Sequence, residues 1–596
     1  MFYQKKQSPG LLISGSIIAK ENVAREKIAF SPGSKKKHYG FIIIGLIALL
    51  LLAAYYLRPF PSTYLSYPLT ISPELAASFG EVRKDHFHMG LDLRTKGREN
   101  LPVLAIADGF ISRVQVSENG FGKAVYVTHP NGMTSVYAHL NRFSDAVEKC
   151  VHRQQYQQEQ WEQDLRFPKD SFPVQKGEVI ARSGNTGTSE GPHLHLELRN
   201  TATGNSLNPQ RKGLTVSDNM HPVIKNIYWY NKRGSIYETN AIRLPLTANT
   251  QQVVEVSSPR IILGVETFDK NAATRFLLGI YKAALYMDDQ LKHHFSMDEI
   301  PQNDTRYVNG SIDYNEFVTG RKTIQLMATL PGNRLALFSK APENGVLDLS
   351  DQKVHRIKIA VQDAAGNSTE MAFAIRFNGV KQLPLSRSKN VVWAAPGKDV
   401  VLQHGQTIVR IGKNVLFDSV PVAIVATNTL YANAVSQRID ISPSGVPLYD
   451  SLEITIPCTL TKDDVLRQRV VMLVQTAMGR TVIKGVWNNY KMTGKLPGFG
   501  MVQLVTDTIP PSISLVNAMD TYLPAEERTV RVVCKDNLGV AAFRATIDGH
   551  WVVFERKGNV FTYLPDEYCE PGTHNLVITV SDIAGNSATQ TFSIAR

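Results

Sequence analysis

Cysteine is scarce in this chain: four residues among 596, at positions 150, 458, 534 and 569, with no Cys-x-x-Cys pair. A thiolate zinc site is therefore not indicated. There is also no glycine-rich phosphate loop, no cofactor fingerprint and no Ser/His/Asp triad context. Charge is ordinary in amount and uneven in place. Charged residues make up 20% of the chain and the formal net charge is +12. Residues 1–38 hold eight Lys/Arg and two Glu, a local +6, which leaves only +6 for everything else. A mildly basic bulk is no nucleic-acid signature. Apolar residues, at 43%, permit sizeable cores, and the length calls for several domains.

One long uncharged run follows the basic segment. Lys35-Lys36-Lys37 precede residues 39–57, nineteen residues rich in Ile and Leu. At helical rise that spans about 28 Å, enough to cross the hydrocarbon core of a bilayer. Positive charge ahead of it places the N-terminus in the cytoplasm and the remainder outside. Arg58-Pro59-Phe60-Pro61 stops the helix. A cleaved signal peptide, with Ala53-Ala54 near a processing site, is the other reading. The length of the run and the lack of a clear A-x-A motif favour the uncleaved signal anchor.

The most informative residues are His193-Leu194-His195, in the run Gly191-Pro192-His193-Leu194-His195-Leu196-Glu197-Leu198. The run is strand-like, so His193, His195 and Glu197 share one face and the leucines the other. Two imidazoles on one face can hold one metal, or one can hold it while the other moves a proton. Two surface histidines on an edge strand are the competing reading. Upstream, His88, Gly90 and Asp92 alternate with Met89, Leu91 and Leu93. In extended backbone His88 and Asp92 face the same side, and Gly90 puts no side chain between them. One His and one Asp here with one His from the later run would give three ligands and leave the fourth tetrahedral position to water. A half-buried strand with incidental polar residues is the alternative. A third segment, Val136-Tyr137-Ala138-His139-Leu140, follows the alternating residues 124–129 and a Pro130-Asn131-Gly132 turn. It reads as a hairpin whose second strand ends at His139.

In this order the segments resemble the LytM/lysostaphin-type zinc metallopeptidases, which cut peptide cross-links of bacterial cell wall. The resemblance runs through His88-x-Gly90-x-Asp92, Ala107-Asp108-Gly109, Tyr137-Ala138-His139-Leu140, Gly177-Glu178-Val179-Ile180, Gly184-Asn185-Thr186-Gly187 and His193-Leu194-His195, over roughly residues 76–212. By position it implies that His88, Asp92 and His195 hold one zinc ion per chain. His139 and His193 become the acid–base and charge-stabilising pair, with their division of labour open. His86 forms a second His-x-His with His88, but the register favours His88. His129 is expected to be structural. Arg83 is read either as a contact for a substrate carboxylate or as an exposed strand-end residue. Residues 144–173 depart from the compact pattern. Free of Gly and Pro from 145 to 167 and rich in Gln and Glu, they read as an inserted helix, either a cleft wall or a solvated excursion.

Beyond 213 the chain is β-rich. Two endings repeat as strand, Asp-x-Ala-Gly-Asn turn, strand, around Asp363-Ala364-Ala365-Gly366-Asn367 and Asp582-Ile583-Ala584-Gly585-Asn586. Their beginnings agree as well, His221-Pro222-Val223-Ile224 against Pro510-Pro511-Ser512-Ile513. This resembles two Ig-like sandwiches of bacterial surface proteins. The first, near 216–378, carries a polar insertion from 298 to 321. Asp363, Asn367, Asp582 and Asn586 raise calcium as an idea, but turn residues bonding their own backbone are the simpler reading. Cys534 and Cys569 lie in one β-domain; export would let them pair, and free buried thiols are the alternative.

The expected architecture is mainly β: one N-terminal transmembrane helix, a small antiparallel β-sheet metallopeptidase domain, then β-sandwich (Ig-like) domains. The segments are 1–38 cytoplasmic, 39–57 transmembrane, 58–75 linker, 76–212 peptidase with its insertion at 144–173, 213–378 Ig-like, 379–505 β of unassigned type and 506–596 Ig-like. The expected function is zinc-dependent hydrolysis of peptidoglycan cross-links, outside the cytoplasm and anchored through residues 39–57. The C-terminal β-domains are candidates for a protein partner, and no nucleic acid is expected. A non-catalytic wall binder or hydrolase activator of the same fold, and an adhesin with a vestigial peptidase domain, are the alternatives. Members of the first kind typically lack one or more of the five motif residues; here all five stand.

Overall fold

The computed structural model describes residues 64–596 except 233, 247–251, 321, 339–341, 382–390, 429–430 and 518–528. The basic segment 1–38, the apolar run 39–57 and the start of the linker lie outside the described residues. Among the described residues no helix is long and apolar enough to cross a membrane.

Alternating apolar and polar side chains make the first region a sheet. Its strands are β1 (Leu75–Ala77), β2 (Leu91–Arg94), β3 (Pro102–Leu104), β4 (Gly109–Val116), β5 (Lys123–Thr128) and β6 (Met133–Phe143). After helix α1 (Asp145–Gln158) come β7 (Gln163–Arg166), β8 (Pro173–Val174), β9 (Val179–Ser183), β10 (His193–Asn200) and β11 (Ser206–Leu207). The spatial order is β1-β2-β10-β6-β5-β4-β7. The latest motif strand, β10, therefore lies between the two earlier ones. Its register sets His195 opposite Asp92 on β2 and opposite Ala138 on β6. Leu194, Leu196 and Leu198 are fully buried on the far face. A slip of one residue would exchange the leucines with His193, His195 and Glu197 and put polar side chains into the apolar core, so burial disfavours it. Gly90 has a reason the sequence did not show. A Cβ there would sit 2.4 Å from the Leu196 carbonyl oxygen, so glycine lets β10 pass close.

Two local expectations change. The hairpin strand does not end at His139; β6 runs on to Phe143. His139 itself is left-handed, with φ +58°, and the pairing of β6 with β9 shifts register just beyond it, between Leu140 and Arg142. A non-glycine residue held there is uncommon, and it re-aims one side chain out of an otherwise regular strand. The insertion is also not one helix. α1 stops at a left-handed Glu159 (φ 47°), and β7 then pairs with β4. Trp161 and Leu165 pack against the main core, which draws this part of the insertion back onto the sheet.

The rest of the chain is paired sheets. Strands between 223 and 377 form two sheets, apart from Glu299–Ile300, which pairs with β11 of the first sheet, and their core runs on continuously from the first region. Strands between 392 and 506 share a separate core, and two four-stranded sheets between 512 and 595 share another. Both Asp-x-Ala-Gly-Asn turns join antiparallel strands, as expected. The polar insertion folds into a 3-10 helix (Gln302–Gly310) and a short α-helix (Tyr314–Gly320). Cys534 and Cys569 are free thiols buried in one core.

Neither reading of the inserted helix is met in full, because α1 docks onto the C-terminal sheets. Tyr156 stacks on Tyr568 with ring centroids 3.7 Å apart and donates its hydroxyl to Asp566, while His152 Nε2 lies 3.0 Å from Asp566 Oδ2. The Asp566 bond lifts the His152 pKa above 6.5 against the effect of burial. Burial works to raise Asp566, but bonds from His152 and Tyr156 hold it below 3.8. The sign follows for each partner. The His152 contribution to docking is complete below 6.5 and fades as pH rises through its lifted pKa; the Asp566 contribution fades only in strong acid. Limited proteolysis between the middle and C-terminal sheets is thus expected to be slower at about pH 6 than at about pH 8.5. His152→Gln should abolish that difference. An unchanged pH response in His152→Gln would assign it to other groups.

Candidate metal centre

Two strands and the segment leading into β2 deliver one atom each to a single point, Asp92 from β2, His195 from β10 and His88 from just ahead of β2. His88 Nε2, Asp92 Oδ1 and His195 Nδ1 lie 2.9–3.0 Å from one another. The other nitrogen of each imidazole is already committed. His88 Nδ1 donates to the Ser78 carbonyl at 2.8 Å, and His195 Nε2 donates to the buried Glu197 carboxylate at 3.3 Å. With those protons placed, the converging nitrogens present lone pairs to each other and to a carboxylate. A cation reconciles three such donors. Bonds of about 2.0–2.2 Å in a tetrahedron would space the donors roughly 3.3 Å apart, close to the observed triangle. Two imidazoles and one carboxylate are also zinc's usual donors, so the residues present fit that ion.

Each donor has support behind it. Arg83 donates to Asp92 Oδ2 at 3.1 Å, leaving Oδ1 for the shared point. Arg83 thus braces a candidate ligand, a third possibility beside the substrate contact and the exposed strand end. Burial would raise Asp92, but the surrounding histidines hold it well below its ordinary range. Glu197 receives Arg199 Nε at 2.6 Å as well as His195. Burial pushes His195 down, yet Asp92 and Glu197 together lift it to about 9 in the metal-free site. Protons and a metal therefore compete for this ring. His86 is half-exposed and paired with Asp85, away from the cluster. His129 is buried between the Asp108 carbonyl and the Ser135 hydroxyl, a structural role as expected.

The remaining two sequence candidates flank the triangle. His139 Nδ1 donates to the Thr186 carbonyl at 2.9 Å, which frees Nε2 as a lone pair. Burial and the neighbouring His195 and His193 push its pKa down to about 3, so this ring is neutral. His193 Nδ1 is held by the Gly191 carbonyl at 2.8 Å, and its Nε2 lies 3.5 Å from Asp92 Oδ1. The two flanking rings are 4.7 Å apart, centre to centre. All five candidates are thus together. Sequence reasoning missed Ser78 and Arg199, and it placed Glu197 on the right face without a task. The available signal for Glu197 was its spacing, two residues beyond His195 on one strand.

Segments from beyond residue 213 contact residues that neighbour this site. The Thr305 hydroxyl accepts the Phe87 amide at 2.8 Å, and Lys84 Nζ donates to the Met478 carbonyl at 2.7 Å. From the C-terminal sheets, Lys557 Nζ donates to the Asn185 carbonyl at 2.5 Å and Glu555 pairs with the buried Lys123. Asn185 adjoins Thr186, the residue that orients His139.

The resemblance read from the motifs is met in sequence comparison: residues 86–156 match Peptidase family M23. That segment contains His88, Asp92 and His139, and stops short of His193 and His195. The chain is 35% identical over 122 residues to the DD-carboxypeptidase/endopeptidase Mpg of Neisseria meningitidis, covering 20% of this chain and 22% of that protein. It is 30% identical over 149 residues to an uncharacterized metalloprotease of Haemophilus influenzae, covering 24% and 26% respectively. It thus spans about a quarter or less of the length of these curated relatives. The catalytic domain of lysostaphin from Staphylococcus simulans is 23% identical, with a TM-score of 0.17, over 23% of this chain and 89% of that one.

Glu197→Gln is expected to weaken zinc affinity about 10–100-fold, because the ring it orients would lose its charged partner. Competition against a chromophoric chelator measures this. Unchanged affinity would remove Glu197 from the support of His195.

Proposed function

We propose that this protein is a zinc-dependent endopeptidase of bacterial peptidoglycan, acting on peptide cross-links outside the cytoplasm. The observation that carries the reading is the 2.9–3.0 Å triangle of His88, Asp92 and His195 with His139 and His193 beside it. The M23 match and the names of the relatives support the peptidase class and the wall substrate.

Zinc bound there would supply Lewis acidity and a water whose pKa falls to about 7. The chain does the rest. His88, Asp92 and His195 would hold the ion, with the His139 and His193 rings beside them. His139, neutral and with a free Nε2, is suited to take a proton from the attacking water. His193 is suited to stabilise the oxyanion, or to protonate the leaving amine, through its Nε2. The Thr186 carbonyl holds His139 in the tautomer that leaves Nε2 free to accept a proton. The Gly191 carbonyl holds His193 through Nδ1 with Nε2 toward Asp92, and that Nε2 donates only when the ring carries both protons.

The anchor through residues 39–57 and the placement of residues beyond it outside the cytoplasm belong to this reading. So do the domain boundaries drawn from the sequence. The paired sheets at 213–378 and 506–596 are taken as Ig-like sandwiches, on the strength of their repeated Asp-x-Ala-Gly-Asn hairpins. Their contacts beside the site suit them to govern access to it or to receive a protein partner.

Purified sacculi incubated with the full chain and zinc should release peptides cut at cross-links, detected by mass spectrometry. His139→Ala and His193→Ala should keep zinc and lose roughly 10²–10⁴-fold in rate. Zinc binding without hydrolysis of any cross-link would instead identify a wall binder or an activator of another hydrolase.

A further inference from the structure

Among the described residues, carboxylates gather in two groups, at matched places in the two repeats. Asp218, Asp269 and Asp363 bring oxygens within 4.8 Å of one another, and so do Asp507, Asp536 and Asp582. Asp218 and Asp507 each stand three residues ahead of the repeat's opening pair, His221-Pro222 or Pro510-Pro511. Asp269 and Asp536 stand at the ends of the strands Arg260–Lys270 and Val530–Lys535. Asp363 and Asp582 open the two Asp-x-Ala-Gly-Asn turns.

The turn carboxylates alone would imply nothing. Asp363 Oδ1 accepts the Gly366 and Asn367 amides, and Asp582 Oδ1 accepts those of Gly585 and Asn586. That is the backbone bonding expected from the sequence. The other members differ. Asp269 is 4% exposed and its Oδ1 has no hydrogen-bond partner; Asp507 is 1% exposed and its Oδ2 has none. Asp536 Oδ2 is likewise buried and unpartnered. Buried carboxylate oxygens are costly to leave unmet. No ion pair relieves any of the six among the described residues. Arg211 and Arg469 instead reach the turn carbonyls, Ala364 O at 3.4 Å and Ala584 O at 3.5 Å. Burial and its acidic neighbours push Asp269 up to about 7, the mark of a charge lacking a counter-charge. The first group also lines a cavity of about 10 Å³, room for one water-sized species.

The donor set selects the ion. All donors are oxygen, which disfavours zinc, whose sites are built mainly on nitrogen and sulfur. A spread of up to 4.8 Å fits metal–oxygen bonds of about 2.3–2.6 Å in a flexible shell, whereas magnesium demands a tight octahedron and keeps its waters. We propose that each group binds one calcium ion, and that the two ions stiffen the junctions at which the repeats begin. Asp218 lies between β11 and the strand Val223–Asn231; Asp507 lies between the strands Gly500–Thr506 and Ser512–Asn517. An ion at each tie would fix how a pair of sheets leaves its predecessor. The second tie holds the sheets that carry Lys557 and Glu555 to the metal centre. This inference stands apart from the zinc reading.

Equilibrium dialysis of the full chain, in detergent, against radioactive calcium at about 1 mM tests it. Two calcium ions per chain are expected, one lost in Asp269→Asn, one in Asp507→Asn and both in the double variant. Zinc, counted by elemental analysis on the same samples, should not change, which separates this outcome from any failure of the peptidase reading. Calcium should also raise the melting temperature of the unsubstituted chain, a readout that needs no variant to fold. Fewer than one calcium per chain in the unsubstituted protein would overturn the proposal. One ion, lost in only one variant, would overturn the other site. Full displacement by equimolar magnesium would overturn the choice of calcium.

Discussion

The register between β2 and β10 is the constraint on which the rest depends. It sets His195 opposite Asp92, with the ring 2.9 Å from the carboxylate. Two features enforce it. The leucines of β10 are buried on the opposite face, and Gly90 has no side chain to hold β10 away. The candidate metal centre thus rests on core packing: the hydrophobic effect holds the sheet, and the sheet places Asp92 and His195. The second layer refines this. Ser78, Glu197 and Arg83 each use up one atom of a donor, so that the remaining atom points to the shared place.

Much of this was legible in the sequence. Period-two alternation alone put His193, His195 and Glu197 on one face and His88 and Asp92 on another. The resemblance joined those faces, and the geometry brings all five candidate residues together. Other features were illegible for physical reasons. The left-handed turn at His139 is set by tertiary contacts, with its amide bonded to the Phe121 carbonyl and its ring to the Thr186 carbonyl. A local pattern does not encode those. The insertion misled because Gln and Glu favour helix by propensity, while Trp161 and Leu165 could instead pack on the sheet. The destination of α1 was invisible too, because Asp566 lies more than 400 residues from His152 and Tyr156.

The β-sheets beyond residue 213 are not a passive tail. They touch the metal centre's surroundings from two directions, through Thr305 and Met478 on one side and Glu555 and Lys557 on the other. Docking through His152 and Asp566 is expected to respond to pH, and the proposed ties at the acidic junctions to respond to calcium. The His152–Asp566 contact and the second acidic junction both bear on the C-terminal sheets, which carry the Lys557 contact to Asn185.

Zinc-edge X-ray absorption on the full chain tests the central claim most directly. The account predicts one zinc ion with two imidazole nitrogens and otherwise oxygen in its first shell, at about 2.0–2.2 Å, and no sulfur. A chain that takes up no zinc, or a first shell with sulfur or a single imidazole, would contradict it.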